Sequence, residues 1–317
     1  MATLTTPVLE LENLTIHLPT AAGVVRAVED FNLTIGRGEK WRLVGESGCG
    51  KTILALGVLR LLPAGARISG TIKLSGIDVT SLSARELTRI RGREAALIFE
   101  QPASCLHPLL TVGDQVAEAV LVQEKIGRRA AWKKAVNLLD RVRLPAPEKR
   151  AGQYPSELSG GMVQKVMIAM ALARKPKLII ADEPTTALDV SVQVQIVELL
   201  EEVLAETGAS LLLISHDPDA ARGLCGHAAV MYAGRLVDLG LQDSLLTAPR
   251  HPYAQALFAA LSGNEPRPIP GRVPSLTDLP PGCAFHPRCP AAQPRCGMEE
   301  PLLIGNVRCH RQAPCSE

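Results

Sequence analysis

The sequence predicts an α/β fold with a parallel sheet core, an antiparallel β subdomain, an inserted helical subdomain and a Cys/Pro-rich C-terminal extension. Three observations predict it. Four short runs, residues 41–44, 95–99, 178–181 and 211–214, are nearly all apolar, as parallel strands covered on both faces must be. Apolar residues at helical spacing fill the stretches between those runs. A glycine-rich turn, residues 45–52, follows the first run and precedes a helical pattern over 53–62, which is the order a phosphate-binding loop needs.

Taken along the chain, residues 8–35 alternate polar and apolar side chains and break at 21–23, which predicts antiparallel hairpin strands. The run 41–44 then enters the glycine-rich turn. Residues from about 100 to 175 carry helical patterns and no clear strand, with Trp132, Ala135, Val136, Leu139 and Val142 on one face and Val163, Val166, Met167 and Met170 on another. This is the inserted helical subdomain. Ile196, Val197, Leu200, Val203 and Leu204 mark a further helix. After Gly263 the composition changes: eleven of the 24 prolines lie in residues 264–317, which excludes a run of helix or central strand. Such a tail is too irregular to hold by core burial alone and calls for a staple.

Composition narrows the class. The chain has 317 residues, 46% hydrophobic and 21% charged, a folding composition. Aromatics are 3%, so the core is built from Ala, Leu, Val and Ile. Lys and Arg total 34 against 32 Asp and Glu, a balance that gives no nucleic-acid footprint. No apolar run is long enough to span a bilayer, and the N-terminus lacks a basic start and an apolar h-region; the expected compartment is the cytosol. Of eight cysteines, Cys49, Cys105 and Cys225 are scattered, whereas Cys283, Cys289, Cys296, Cys309 and Cys315 crowd the last 54 residues. In a reducing compartment such crowding favours metal binding over disulfides.

The chemistry follows from three motifs. In Gly45-Glu46-Ser47-Gly48-Cys49-Gly50-Lys51-Thr52, with Ile53 opening the helix, the glycines let backbone N–H groups wrap phosphates, and the helix N-terminus adds partial positive charge. Lys51 neutralises phosphate charge and the Thr52 hydroxyl suits Mg²⁺; Cys49 is a small filler. A second strand ends in Asp182 and Glu183: Asp182 is placed for Mg²⁺, Glu183 to orient or deprotonate an attacking water. His216 follows a third strand, where ligands bind in open α/β folds, and reads as a γ-phosphate contact. Lys51, Glu183 and His216 are the catalytic candidates. Ser159-Gly160-Gly161, with Gln164 one turn on, opens another helix and offers a second anion-binding N-terminus. Two cradles per chain suggest that two chains complete each other's sites; the plainer reading is an ordinary N-cap at Ser159.

The stretches GESGCGKT, ELSGGMVQ, LIIADEPTTALD and LLLISHD occur in this order over residues 8–245. On them the chain resembles the ATPase subunits of ABC transporters, which are P-loop NTPases of ABC type. The resemblance implies an ABC ATPase domain over 1–245, binding ATP and Mg²⁺ and hydrolysing ATP to ADP and phosphate as a translocase. It implies that Ser159, Gly160, Gly161 and Gln164 meet the ATP of a partner subunit, and that Asp189 couples the two sites. Residues 98–108 (IFEQPASCLHP), 250–257 (RHPYAQAL) and 282–290 (GCAFHPRCP) are similar to segments of the oligopeptide/dipeptide/nickel importers. That narrower resemblance implies an extension over 246–317 of this type. It also implies two membrane permease subunits, a second ATPase subunit (a heterodimer rather than a homodimer), an extracytoplasmic solute-binding protein, no nucleic acid, and a peripheral place on the cytoplasmic face of the inner membrane. The cargo it implies is a di- or oligopeptide, or else nickel or another metal chelate. A soluble ABC ATPase of DNA repair or translation is the alternative, but such proteins usually carry insertions or a duplicated core not visible here.

The sequence departs from the family in places. The Gln expected just after Phe99 is Glu100, with Gln101 next. A carboxylate there adds negative charge beside the γ-phosphate and predicts an altered Mg²⁺ dependence, unless Gln101 takes its place through a backbone shift. No Phe or Tyr stands near His17 to stack on adenine, so either the stacking is weak or His17 substitutes. Cys283, Cys289, Cys296 and Cys309 are spaced x5, x6 and x12, without the knuckles of zinc ribbons. Spacing leaves Zn²⁺, an iron–sulfur cluster and a disulfide or free-thiol tail open; the importer resemblance implies a 4Fe–4S cluster on these four, with Cys315 spare or in place of Cys309.

Overall fold

The computed structural model describes residues 6–186, 188–215, 223–262 and 268–311. They form two compact units, one of residues up to Leu82 and from Leu212 onward, the other of Ser83–Leu211.

The first unit opens with β1 (Leu9–Thr20) and β2 (Gly23–Ile35), an antiparallel hairpin. Leu9, Leu11, Leu14 and Ile16 of β1 are all buried although Leu11 and Leu14 are three residues apart. Strict alternation would turn one of them outward; a register shift between Leu11 and Leu14, with Asn13 at positive φ, keeps both inside. After β3 (Lys40–Val44) and α1 (Lys51–Val58), β4 (Arg67–Leu74) and β5 (Ile77–Asp78) complete an antiparallel sheet of order β2-β1-β4-β5.

The second unit contains α2 (Ala84–Ile90), β6 (Ala95–Ile98), α3 (Pro102–Cys105), α4 (Val112–Gln123), α5 (Arg128–Arg141), α6 (Pro147–Ala151), α7 (Gly160–Leu172), β7 (Leu178–Asp182) and α8 (Val190–Thr207). Strands β6 and β7 are parallel and fully buried. Between them the described residues are helical or irregular, and α4 through α7 pack on one another. Ala131, Ala135 and Leu139 form the buried stripe of α5, at helical spacing. Thr111 caps α4 by accepting the Asp114 N–H, and Gly208 ends α8 in the left-handed region at φ 65°.

Strand β8 (Ser210–Ile214) leads back into the first unit, which continues with β9 (His227–Tyr232), β10 (Arg235–Leu241), α9 (Gln242–Thr247) and α10 (Pro252–Ser262). Strand β9 is parallel to β3 and antiparallel to β10, in the order β10-β9-β3-β8.

The tail follows as turns, short 3-10 segments and isolated bridges. Its anchorage differs from the sequence expectation of a cysteine staple. Phe285 and Ala284 are buried in a core shared with Val230, Tyr232, Tyr253 and Phe258. Arg308, its side chain 3% exposed, pairs with Asp30 at 2.9 Å and donates to the Leu236 carbonyl at 3.1 Å. The tail thus borrows the core of the unit it lies on, and buried Arg308 meets backbone carbonyls of Leu236 and Pro301 as well as the Asp30 carboxylate. The described cysteines are all free thiols.

Candidate functional site

In the first unit, β3 runs into residues 45–52 and α1 begins at Lys51. Gly50 stands at the helix N-cap at φ 109°, with no side-chain cap over the first N–H groups. A Cβ at Gly50 would lie 2.1 Å from the Ala27 carbonyl oxygen, and one at Gly45 would lie 2.2 Å from that of Met231. Glycine is therefore required at both by close backbone approach. Ser47, Gly48 and Thr52 are exposed, while Cys49 and Lys51 are buried. The Lys51 ammonium donates to the carbonyls of Gly45 at 2.8 Å and Glu46 at 3.1 Å. It is thus held over its own loop, with uncapped helix amides beside it. This is the donor set a triphosphate needs. Burial pushes the Cys49 thiol up despite nearby Lys51, in keeping with an unreactive filler.

Two residues from outside the motif also grip this loop. The Tyr253 hydroxyl accepts the Glu46 N–H at 2.8 Å. Arg288 donates to both carboxylate oxygens of Glu46, at 2.7 and 3.0 Å. The sequence segments around 253 and 288 stand out as family marks, but pairings across 207 and 242 positions leave no local trace in a sequence.

In the second unit, Asp182 is the buried last residue of β7. Glu183 follows at positive φ, 47°, and its carboxylate accepts from the Thr186 hydroxyl at 3.2 Å. Asp189 caps α8, accepting the Val192 N–H at 3.0 Å and the Ser191 hydroxyl at 2.6 Å; these bonds lower its pKa, the Ser191 hydroxyl first. Gln193 donates to the carbonyls of Thr185 and Leu188, bracing the turn between. Ser159 is the N-cap residue of α7, yet its side chain makes no cap hydrogen bond. Ser159 and Gly160 are exposed, Gly161 is half-buried, and Gln164 is buried. A Cβ at Gly161 would meet Val192 at 2.7 Å, so glycine lets α7 approach the start of α8.

Glu100 and Gln101 are both exposed, between β6 and α3. Gln101 is the N-cap residue of α3, and its carbonyl accepts the Ser104 hydroxyl at 2.8 Å. His17 lies against Glu29 at 2.5 Å, so its ring is engaged within the first unit. His216 and Cys315 lie outside the described residues.

Cys283, Cys289, Cys296 and Cys309 line one small pocket with Phe285 and His286. Burial raises the thiol pKa of Cys283 to about 11 and raises that of Cys289. Among the described residues no group of three or more His, Cys, Asp or Glu is placed to hold a metal ion. The expectation of a 4Fe–4S cluster is therefore not met by this geometry: the thiols share a cavity without forming a coordination sphere. No helix of the described residues is long and apolar enough to cross a membrane.

Comparison with known proteins adds to this geometry. Residues 28–186 match the family model of ABC transporters, and residues 237–296 that of the oligopeptide/dipeptide transporter C-terminal region. The oligopeptide transport ATP-binding protein OppD of Haemophilus influenzae is 41% identical over 305 residues, covering 95% of this chain and 94% of the relative. The dipeptide transport ATP-binding protein DppD of Bacillus subtilis is 41% identical over 290 residues, covering 89% and 87%. Among solved structures, the dimeric post-hydrolysis ATP-binding cassette MJ0796 bound to ADP and Pi is similar at a TM-score of 0.66 and 30% identity, over 74% of this chain and 98% of that one.

Proposed function

The chain belongs to the ABC transporter family of ATPases, and we propose that it is the ATP-hydrolysing subunit that powers import of di- or oligopeptides through a partner permease. The observation that carries this reading is the union, in one compact unit, of a phosphate loop and a C-terminal region of oligopeptide/dipeptide-transporter type. The relatives named for oligopeptide and dipeptide transport support peptide over nickel as the cargo.

In this reading Gly45, Ser47, Gly48, Cys49, Gly50 and Ile53 line the ATP phosphates with backbone groups, and Lys51 neutralises charge that builds up during transfer. Thr52 and Asp182 would hold Mg²⁺, which would draw charge from the phosphates. Glu183 orients the attacking water and takes its proton, and His216 contacts the γ-phosphate. Glu100 takes the place of the Mg²⁺-sensing glutamine, the alternative being that Gln101 reaches in by a local backbone shift. Ser159, Gly160, Gly161 and Gln164 serve the nucleotide of a second ATPase subunit, and Asp189 links the two sites. The 1–245 segment is the ATPase domain, with its helical subdomain at about 100–175, and 246–317 the extension. The assembly comprises two permease subunits, a second and different ATPase chain, and an extracytoplasmic solute-binding protein, with this chain peripheral on the cytoplasmic membrane face.

For the tail, the four cysteines are proposed as donors for a thiolate-bound metal group, the iron–sulfur cluster of the importer resemblance. Convergence of free thiols on one pocket supports the choice of donors; binding requires them to close further. Iron, acid-labile sulfide and zinc measured after anaerobic purification decide it, and absence of all three removes the group.

The function is tested by recovering the tagged chain from native membranes anaerobically and identifying its companions by mass spectrometry. Two multi-span permeases, a second ATPase and a solute-binding protein are expected. Recovery alone, or with ribosomes or nucleic acid, overturns the importer reading.

A further inference from the structure

Glu46 brings the negative charge of a carboxylate into a loop that is read as an anion cradle. The loop depends on its backbone: the Glu46 carbonyl accepts both the Lys51 ammonium at 3.1 Å and the Cys49 N–H at 3.3 Å. The C-terminal region grips Glu46 at two points. Tyr253 accepts its N–H at 2.8 Å. Arg288 clamps its carboxylate through two hydrogen bonds of 2.7 and 3.0 Å.

Arg288 is itself fixed in place. Its side chain is 3% exposed. It donates to the carbonyls of Pro270 at 2.9 Å and Ile269 at 3.1 Å, and to the Tyr232 hydroxyl at 3.3 Å. The guanidinium carbon sits 5.8 Å from the Tyr232 ring centre and 6.0 Å from that of Phe285. Tyr232, Tyr253 and Phe285 pack on one another at 4.4 to 5.4 Å between ring centres. A guanidinium held this firmly loses little further freedom in gripping a carboxylate.

We propose that Arg288, with Tyr253, is a positioning residue of the phosphate loop: it neutralises Glu46 and fixes that residue's backbone, so that the C-terminal region sets the affinity for ATP. The inference rests on the proposed ATPase reading and extends it to residues outside the nucleotide motifs. A merely structural staple and a charge-neutralising clamp differ in one respect. If Arg288 acts by cancelling the Glu46 charge, removing both charges repairs what removing Arg288 alone damages.

The test is equilibrium binding of AMP-PNP with Mg²⁺ to the full chain, by calorimetry, alongside thermal unfolding without nucleotide. Arg288→Gln is expected to raise Kd about tenfold, the scale of one hydrogen-bonded charge. Arg288→Lys, which keeps the charge but not the two-pronged grip, should recover part of that loss. Glu46→Gln combined with Arg288→Gln should bind more tightly than Arg288→Gln alone. An unchanged Kd in Arg288→Gln, or a loss that Glu46→Gln does not relieve, overturns the inference. Should Arg288→Gln fail to fold, Tyr253→Phe removes only the acceptor of the Glu46 N–H; a raised Kd at an unchanged unfolding temperature supports the positioning role, and a wild-type Kd, or a Kd that rises only as the fold is lost, overturns it. A wild-type chain that does not bind AMP-PNP overturns the ATPase reading and this inference together.

Discussion

At Glu100 a carboxylate stands where the ABC resemblance implies a glutamine, and Gln101 beside it is the N-cap residue of a four-residue helix. Both side chains are exposed, so neither is committed to packing, and their exchange is tolerable to the fold. At the proposed nucleotide site a carboxylate would compete for Mg²⁺ and repel phosphate oxygens. The double exchange Glu100→Gln with Gln101→Glu should therefore shift the Mg²⁺ concentration for half-maximal ATPase; superimposable Mg²⁺ titrations of the two proteins would show that the order of the pair is immaterial. Gly50 is the opposite kind of position, one where nothing else fits. Its φ of 109° and the Ala27 carbonyl at 2.1 Å from any added Cβ combine backbone strain with a clash. Gly50→Ala should cost on the order of 3 kcal/mol of stability, read from urea denaturation midpoints, in addition to its effect on nucleotide binding. A stability within error of wild type would mean that the loop rebuilds at no cost.

At the scale of elements, the β1–β2 hairpin carries the clearest electrostatic signature. Burial alone would raise the pKa of Glu29, but hydrogen bonds from Arg26 and His17, and the charge of Arg235, outweigh it and hold the carboxyl at about 2 against an ordinary 4.5. A lowered acid pKa contributes stability that is present above 4.5 and lost as pH falls through 2. Glu29→Gln should lower stability at neutral pH yet lose less on acidification, so that its curve of stability against pH is flatter in that window; parallel curves would contradict the assignment. The hairpin also shows what the sequence discloses and what it hides. Its break at 21–23 and its alternation are local, and so are the apolar runs that became β3, β6, β7 and β8. The nucleotide motifs are equally local, because each is a short loop between a strand and a helix. Strands β9 and β10 are harder to see: the centre of β9 is Ala228, Ala229, Val230 and Met231, half of it residues without β preference. The tail's anchorage was not legible at all. Arg288 with Glu46 and Arg308 with Asp30 are separated by 242 and 278 positions, and nothing in the spacing of a proline-rich segment announces which carboxylate a given arginine will reach.

For the whole molecule, the decisive feature is that Ser159 begins a 13-residue helix without using its hydroxyl as a cap. An N-cap serine normally satisfies an N–H of its own helix; here the Ser159 side chain makes no cap hydrogen bond, and Ser159 and Gly160 are exposed residues. Lys51, by contrast, is buried against its own loop. The two cradles should therefore respond differently when damaged within the assembled transporter. Lys51→Ala should abolish labelling of this chain by a photoreactive ATP analogue, because in the proposed reading the ammonium serves the nucleotide bound on the same chain. Ser159→Arg should leave that labelling near wild type and still lower the ATPase rate of the complex by about 100-fold, the scale of losing one preorganised donor at a reacting phosphate. The separation of the two effects follows only if the second cradle serves a nucleotide held by another subunit. Equal loss of labelling in both variants would mean that Ser159 serves the nucleotide of its own chain, and a rate unaffected by Ser159→Arg would return the serine to the role of a plain helix boundary.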